Sequence, residues 1–226
     1  MLFLLGAGAS VDSGYATYRG VNGLYTHHTD TIGGMACWDL LGPIALQDGE
    51  PGPTYRRIEK LCAQEPSMVV TQNIDGLIWK LELGRTDVIE LHGNGQRFLC
   101  EHCGRVEPAS LELRECRACG CPLRPDVVFY GETVDGEHLQ RARLFLKRCR
   151  VHTVYVIGTT LQFAYLDQLI QLASMRGAQI IHVNPDPEYR EHSHRVKNKF
   201  TTMGVISKRV RRKRPHRLLR PEEFIQ

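Results

Sequence analysis

Thr71-Gln72-Asn73-Ile74-Asp75-Gly76-Leu77, followed after a short interval by Leu91-His92-Gly93, decides how this chain is read. The apolar run Met68-Val69-Val70 leads into the first segment, and Val88-Ile89-Glu90-Leu91 leads into the histidine. Both runs have the character of buried parallel strands. The polar residues then stand where strands end, and open α/β sheets bind ligands at the carboxyl ends of their strands. An amide, a carboxylate and an imidazole gathered there point to catalysis. The plainer alternative is strand-end capping beside a surface histidine.

Towards the amino terminus, Leu2-Phe3-Leu4-Leu5 reads as a third strand, running into Gly6-Ala7-Gly8-Ala9-Ser10 and Ser13-Gly14. Glycines directly after a strand let the backbone approach a phosphate, and the N–H groups of the next helix hold the anion. The standard dinucleotide fingerprint is not met, because Val11 stands where a third glycine is expected. A tight turn is the competing reading. Tyr18-Arg19-Gly20 and Asn22-Gly23-Leu24 continue as a loop suited to folding over a ligand. From His27 to Pro53 the sequence is poorly periodic, and His27 and His28 read as exposed. A helix starts at Pro53 and carries Ile58, Leu61 and Cys62 on one face.

Towards the carboxyl terminus, Arg124 to Glu132 reads as a return to the sheet. Leu139, Ala142, Phe145, Leu146 and Cys149 form one helical stripe. Val151 to Ile157 is a strand ending in Gly158-Thr159-Thr160. Leu166 to Met175 is a helix with Gly177 at its end, and Gln179 to Val183 is a strand ending in Asn184-Pro185. Strand, polar turn and helix alternate, which gives an α/β class with a parallel sheet and right-handed crossovers.

The chain has 226 residues, room for one large domain with a small insert. A hydrophobic share of 42% and a charged share of 24% place it among globular chains. The apolar run from Met1 to Ala9, broken by Gly6, falls short of the roughly 20 residues of a membrane helix. It also lacks a basic leader. No membrane partner is expected, and the expected location is cytoplasmic, with the nucleus as alternative.

Four of the eight cysteines form two knuckles, Cys100-Glu101-His102-Cys103 and Cys116-Arg117-Ala118-Cys119. In a reducing compartment this pairing favours metal over disulfides, and the spacing fits tetrahedral zinc. His102 and Cys121 are competitors for a ligand position. Four thiolates leave no open position, so the expected role of the zinc is structural. Cys37, Cys62 and Cys149 read as packed or partly exposed thiols.

The net charge of +4 is uneven: Ser207 to Gln226 holds eight Lys/Arg against two Glu, a balance of +6, which leaves −2 for the remainder. This basic segment reads as a tail, with nucleic acid, an acidic partner or a nuclear import receptor as candidate contacts, or as a solvated run. It lacks interleaved aromatics for base stacking.

The ordered set Gly6 to Ser10, Ser13-Gly14, Tyr18-Arg19-Gly20, Thr71 to Leu77, His92-Gly93, the two knuckles, Arg124 to Val128, Gly131-Glu132, Gly158 to Thr160 and Asn184-Pro185 resembles the sirtuin family over residues 1–187. The resemblance implies an NAD-dependent protein lysine deacylase. It implies a Rossmann-like parallel-sheet domain with a small inserted domain made of a zinc ribbon and helices. The expected bounds are about 1–26, 67–96 and 124–206 for the large part, 27–66 and 97–123 for the small part, and 207–226 for a basic tail. NAD and an acylated protein or peptide would enter between the two parts.

Carried onto this chain, Gly6, Ala7, Gly8 and Ser10 would line the diphosphate site, with Tyr18 and Arg19 in a cofactor loop. Gln72 would meet the nicotinamide ribose, Asn73 the reacting ribose and Asp75 the carboxamide. Gly158, Thr159, Thr160 and Asn184 would hold the phosphate and adenosine portion. His92 would be the general base, with Asn73 as second catalytic residue. Val128, Phe129, Gly131 and Glu132 would meet the peptide, and Cys100, Cys103, Cys116 and Cys119 would hold zinc.

In the implied chemistry the acyl oxygen attacks the anomeric carbon as nicotinamide leaves. His92 then assists the ribose hydroxyls, giving free lysine and O-acyl-ADP-ribose. The chain departs from the family pattern at Tyr15-Ala16, at Ile78 and at Gln162-Phe163-Ala164-Tyr165, where a Val-x-Pro pattern is usual. Two other readings share these residues: NAD hydrolysis or ADP-ribosyl transfer, and a weakly catalytic zinc-stabilised module that binds NAD or nucleic acid.

Overall fold

The computed structural model describes residues 1–17, 38, 42–43, 45–129, 131–185 and 216–226. Its centre is β1 (Leu2–Leu5), with all four residues buried. Parallel partners flank it, β2 (Met68–Thr71) on one side and β7 (Thr153–Ile157) on the other. Beyond β2 lies β3 (Asp87–Glu90), and beyond β7 lie β8 (Gln179–Val183) and β9 (Arg217–Leu219). The order β3-β2-β1-β7-β8-β9 is that of dinucleotide-binding sheets, with its switch point between β1 and β7.

Alternation along β1 explains the layers, because successive side chains point to opposite faces. Phe3 and Leu5 join one buried cluster with Tyr55, Ile58, Leu61 and Cys62 of α1 (Pro53–Cys62) and Phe224 of α4 (Pro221–Ile225). Leu2 and Leu4 join another with Ala142 and Leu146 of α2 (Gly136–Arg148) and Leu166, Leu169, Ile170 and Ala173 of α3 (Ala164–Met175). Both faces are covered, so the strands are apolar runs. The start of α2 is capped by Asp135, whose carboxylate accepts from Glu137 N at 2.7 Å.

A second sheet of three antiparallel strands is built from β4 (Gly93–Leu99), β5 (Val106–Pro108) and β6 (Arg124–Val127). Its core holds Trp38, Phe98, Leu123, Val127 and Phe129 beside Cys100 and Cys116.

Three expectations change. Arg124 to Val127 pairs antiparallel with β4 and does not return to the parallel sheet. Helix α1, expected in the small part, packs on the large sheet, because its apolar stripe carries Tyr55 as well as Ile58 and Leu61. The end of the expected basic tail is a strand and a helix: β9 extends the sheet beside β8, and Phe224 packs on Tyr155 at 5.4 Å between ring centroids. Leu218-Leu219 and Phe224-Ile225 supply the apolar residues that a solvated tail lacks. Residues 207–215, Cys37, His27 and His28 lie outside the described residues. Among the described residues no helix is long and apolar enough to cross a membrane.

Phe224 is 3% exposed. Phe224→Ala is expected to lower unfolding stability by about 3 kcal/mol in chemical denaturation. A loss within about 0.5 kcal/mol would show that the terminal helix is not part of the core.

Candidate active site

The loops after β1 and β7 cross at the switch point. Gly6 N donates to Ile157 O at 2.9 Å and Gly8 N to Gly158 O at 2.8 Å. A Cβ on Gly8 would stand 2.6 Å from Gly158 Cα, and one on Gly6 would stand 2.7 Å from Thr159 Cβ. These glycines are therefore demanded by the meeting of two backbones. The segment Ala7–Ser13 then turns as a 3-10 helix. Asp12 accepts from Thr54 N (2.8 Å) and Ser13 Oγ from Gly52 N (2.9 Å), which fastens the start of α1 over this loop.

Beneath it lies a buried polar cluster. Ser10 Oγ donates to Asp75 Oδ2 at 2.6 Å, so Tyr55, 3.0 Å from the same oxygen, is the donor to Ser10. Asn73 Nδ2 reaches Gly6 O (3.1 Å), Ser10 Oγ (3.0 Å) and Tyr55 Oη (3.2 Å). Leu77 N donates to Asp75 Oδ1 at 3.0 Å. Burial pushes the Asp75 carboxyl above its usual range, against the lowering effect of Ser10 and Leu77. Burial also raises Tyr55, and the Asp75 charge adds to that.

Asn73 Oδ1 is buried and finds no partner among the described residues. A buried acceptor left unpaired costs about 1–3 kcal/mol. The oxygen is thus set to accept from a ligand hydroxyl.

On the other side of the same loop, Thr159 Oγ1 donates to Gln72 Oε1 (3.0 Å), and Gln72 Nε2 reaches Tyr165 Oη (3.3 Å). Tyr165 Oη lies 2.8 Å from His92 Nε2. His92 follows β3, and its carbonyl accepts from Val128 N (3.0 Å). Nearby, Glu90 accepts from Trp79 Nε1 and Asn94 Nδ2, both at 2.8 Å, and pairs with Arg97, which also holds Asp126. Burial lowers the His92 pKa to about 4, a hydrogen bond to the Gln72 backbone opposing it, so the ring is neutral at pH 7.

The expected site residues thus divide. Gly6, Gly8, Ser10, Gln72, Asn73, Asp75, Gly158 and Thr159 meet at the switch point, with Ala7 in the same turn and Asn184 Nδ2 donating to Thr159 O at 3.3 Å. Thr160 is exposed just beyond them. Tyr18 and Arg19 lie outside the described residues. Val128 and Phe129 follow β6. Glu132 is held within that turn, its carboxylate taking both Arg124 Nη1 (2.9 Å) and Nη2 (2.8 Å) and Phe129 N (2.9 Å). Gly131 sits in the same turn with φ +89°. Tyr55 and Tyr165 were missed. Tyr55 was legible as one turn before Ile58 on the buried stripe, and Tyr165 lay in the stretch that departs from the family pattern.

The four knuckle sulfurs Cys100, Cys103, Cys116 and Cys119 all lie within 4.8 Å of one another. Cys100 and Cys119 are 3.5 Å apart, and Cys103 and Cys116 are 3.6 Å apart. Sulfurs on a tetrahedral zinc with Zn–S of about 2.3 Å stand about 3.8 Å apart, so the set fits zinc. The knuckles turn alike: Gly104 N donates to Cys100 O and Gly120 N to Cys116 O, each at 2.8 Å. His102 and Cys121 gather only around Cys119, without a second knuckle.

The Sir2 family model matches residues 39–164. An NAD-dependent protein deacylase of Aeropyrum pernix is 34% identical over 91% of this chain and 85% of its own length. The chain belongs to the Sir2 family. A solved structure from work on the mechanism and regulation of Sir2 enzymes is 29% identical, with a TM-score of 0.69 over 82% of this chain and 81% of that one. A Sir2 homologue mutant bound to ADP-ribose is 25% identical, with a TM-score of 0.67 over 90% and 94%. The sirtuin architecture of a parallel sheet with a cysteine-bearing module is that of this chain.

Two outcomes are expected. Because folding lowers the His92 pKa, the unfolded chain binds more protons between about pH 4 and 6.5, and this contribution to stability is lost as pH falls through that window. Denaturation of wild type and His92→Asn at pH 7 and pH 4.5 should show the larger loss in wild type; equal losses would contradict the assignment. Cys100→Ser should lose zinc and melting temperature together, read by metal analysis and calorimetry. Full zinc content in that variant would contradict the ligand set.

Proposed function

We propose that this chain removes acyl groups, acetyl among them, from protein lysines in an NAD-dependent reaction. Membership of the Sir2 family and the deacylase relatives support the reading. One observation of the site carries it: a buried amide oxygen, Asn73 Oδ1, without a partner among the described residues, at the switch point that also gathers a neutral imidazole, His92. A ribose offers hydroxyl donors to such an oxygen, and its hydroxyls need a base.

NAD supplies an anomeric carbon made electrophilic by departure of nicotinamide, and the ribose hydroxyls that accept the acyl group. The chain's residues bind and orient it. The turn that leaves the crossing at Gly8 and Gly158, with Ala7 and Ser10, would line the diphosphate site. Gln72 and Asn73 would hold the ribose, and Asp75 the carboxamide. Asn73 is itself oriented by Gly6, Ser10 and Tyr55, so its oxygen is aimed before any ligand arrives. His92 takes a proton from a ribose hydroxyl, as a base that is uncharged at neutral pH. Zinc held by the four thiolates would brace the small sheet of β4 and β6, whose strand β4 joins His92 to Cys100.

The reading is tested by incubating the protein with NAD and an acetyl-lysine peptide. Mass spectrometry is expected to find O-acetyl-ADP-ribose and deacetylated peptide. His92→Ala is expected to lower turnover at least about a hundredfold while retaining its fold. NAD consumption that gives ADP-ribose without a change in the peptide would contradict the reading in favour of NAD hydrolysis.

A further inference from the structure

The reaction proposed above needs His92 to present an unprotonated nitrogen. The hydrogen bonds around it fix which nitrogen that is. Leu161 N donates to Thr159 Oγ1 at 3.2 Å, and the Thr159 hydroxyl donates to Gln72 Oε1 at 3.0 Å. The Gln72 amide nitrogen therefore faces Tyr165 and donates to its oxygen at 3.3 Å. The single proton of Tyr165 is left for His92 Nε2, 2.8 Å away. The Gln72 backbone favours a proton on the ring, and with Tyr165 donating to Nε2 the nitrogen that carries it is Nδ1. Every member has one consistent direction, and the series ends on an unprotonated Nε2 that accepts from Tyr165.

Ring packing holds the hydroxyl on target. Phe163 stacks on Tyr165 at 5.3 Å and 11°, and meets His92 edge-on at 5.4 Å. Phe163 is 42% exposed, so this aromatic pair reaches the surface.

We propose that Tyr165 is a positioning residue for deacylation: its hydroxyl holds His92 in the tautomer that accepts at Nε2 and ties it to Gln72, until a substrate hydroxyl takes its place. The inference rests on the deacylase reading. Other titratable groups on the elements packed around His92 are already engaged. Glu90 of β3 and Asp126 of β6 pair with Arg97 of β4, and Asp75 after β2 is held by Ser10 and Leu77. None of them contacts the imidazole among the described residues, and neither does Asp167 of α3, which burial alone raises.

Tyr165→Phe keeps the ring and removes the donor. Its kcat is expected to fall about tenfold, with KM for NAD within about twofold of wild type. The acid limb of its pH profile should move to higher pH, because a donor to Nε2 favours the neutral ring and its loss favours the charged one. Nitrogen-15 NMR of the unliganded protein tests the same claim without turnover. Wild type should show His92 protonated only at Nδ1, and Tyr165→Phe a mixture of tautomers. If the deacylase reading fails, wild type is inactive, yet the NMR arm still decides the Tyr165 claim. A variant with wild-type kcat, acid limb and tautomer overturns the proposal, even if its melting temperature falls. A wild-type spectrum with the proton on Nε2 overturns it as well.

Discussion

The contact on which the site depends is the backbone crossing of Gly6 and Gly8 with Gly158 and Thr159. It exists because β1 and β7 are neighbours whose connections leave in opposite directions across the sheet. With no side chains between them, two loops share hydrogen bonds at 2.8 and 2.9 Å. Any Cβ at Gly8 would force the loops apart. The loop after β2 sits beside this crossing, and Asn73 donates directly to the Gly6 carbonyl. A disturbance at Gly8 would therefore reach the residues proposed to hold ribose.

That third loop divides two polar systems. Asn73 and Asp75 look towards Ser10 and Tyr55, while Gln72 looks towards Thr159 and Tyr165. One system ends on an amide oxygen that lacks a donor among the described residues, and the other on an imidazole whose lone pair is already directed. Neither end makes sense as packing alone. An unpaired buried acceptor costs about 1–3 kcal/mol, and burial holds His92 neutral well below its usual pKa. Such costs persist where a ligand repays them.

Much of this was legible in the chain itself. The apolar runs at residues 2–5, 68–70 and 153–157 are strands because both faces of the sheet are covered, so no polar alternation dilutes the signal. The cysteine knuckles announced their geometry by spacing. Harder to read was β9, which lies behind a long basic run and whose three residues, Arg217 to Leu219, carry only two leucines. The pairing of Arg124–Val127 with β4 also escaped, since a four-residue strand has no periodicity that tells parallel from antiparallel. Tyr55 and Tyr165 escaped for a different reason. Their roles depend on hydroxyls meeting partners 18 to 93 residues away, and no local pattern encodes such a meeting.

The central claim is that loss of nicotinamide is tied to an acyl-lysine at this switch point. Its most direct measure is the ratio of nicotinamide released to lysine freed, followed in one time course with NAD and an acetyl-lysine peptide. The account predicts one nicotinamide per lysine, and negligible release when the peptide is left out. Release that proceeds at the same rate without peptide would contradict it.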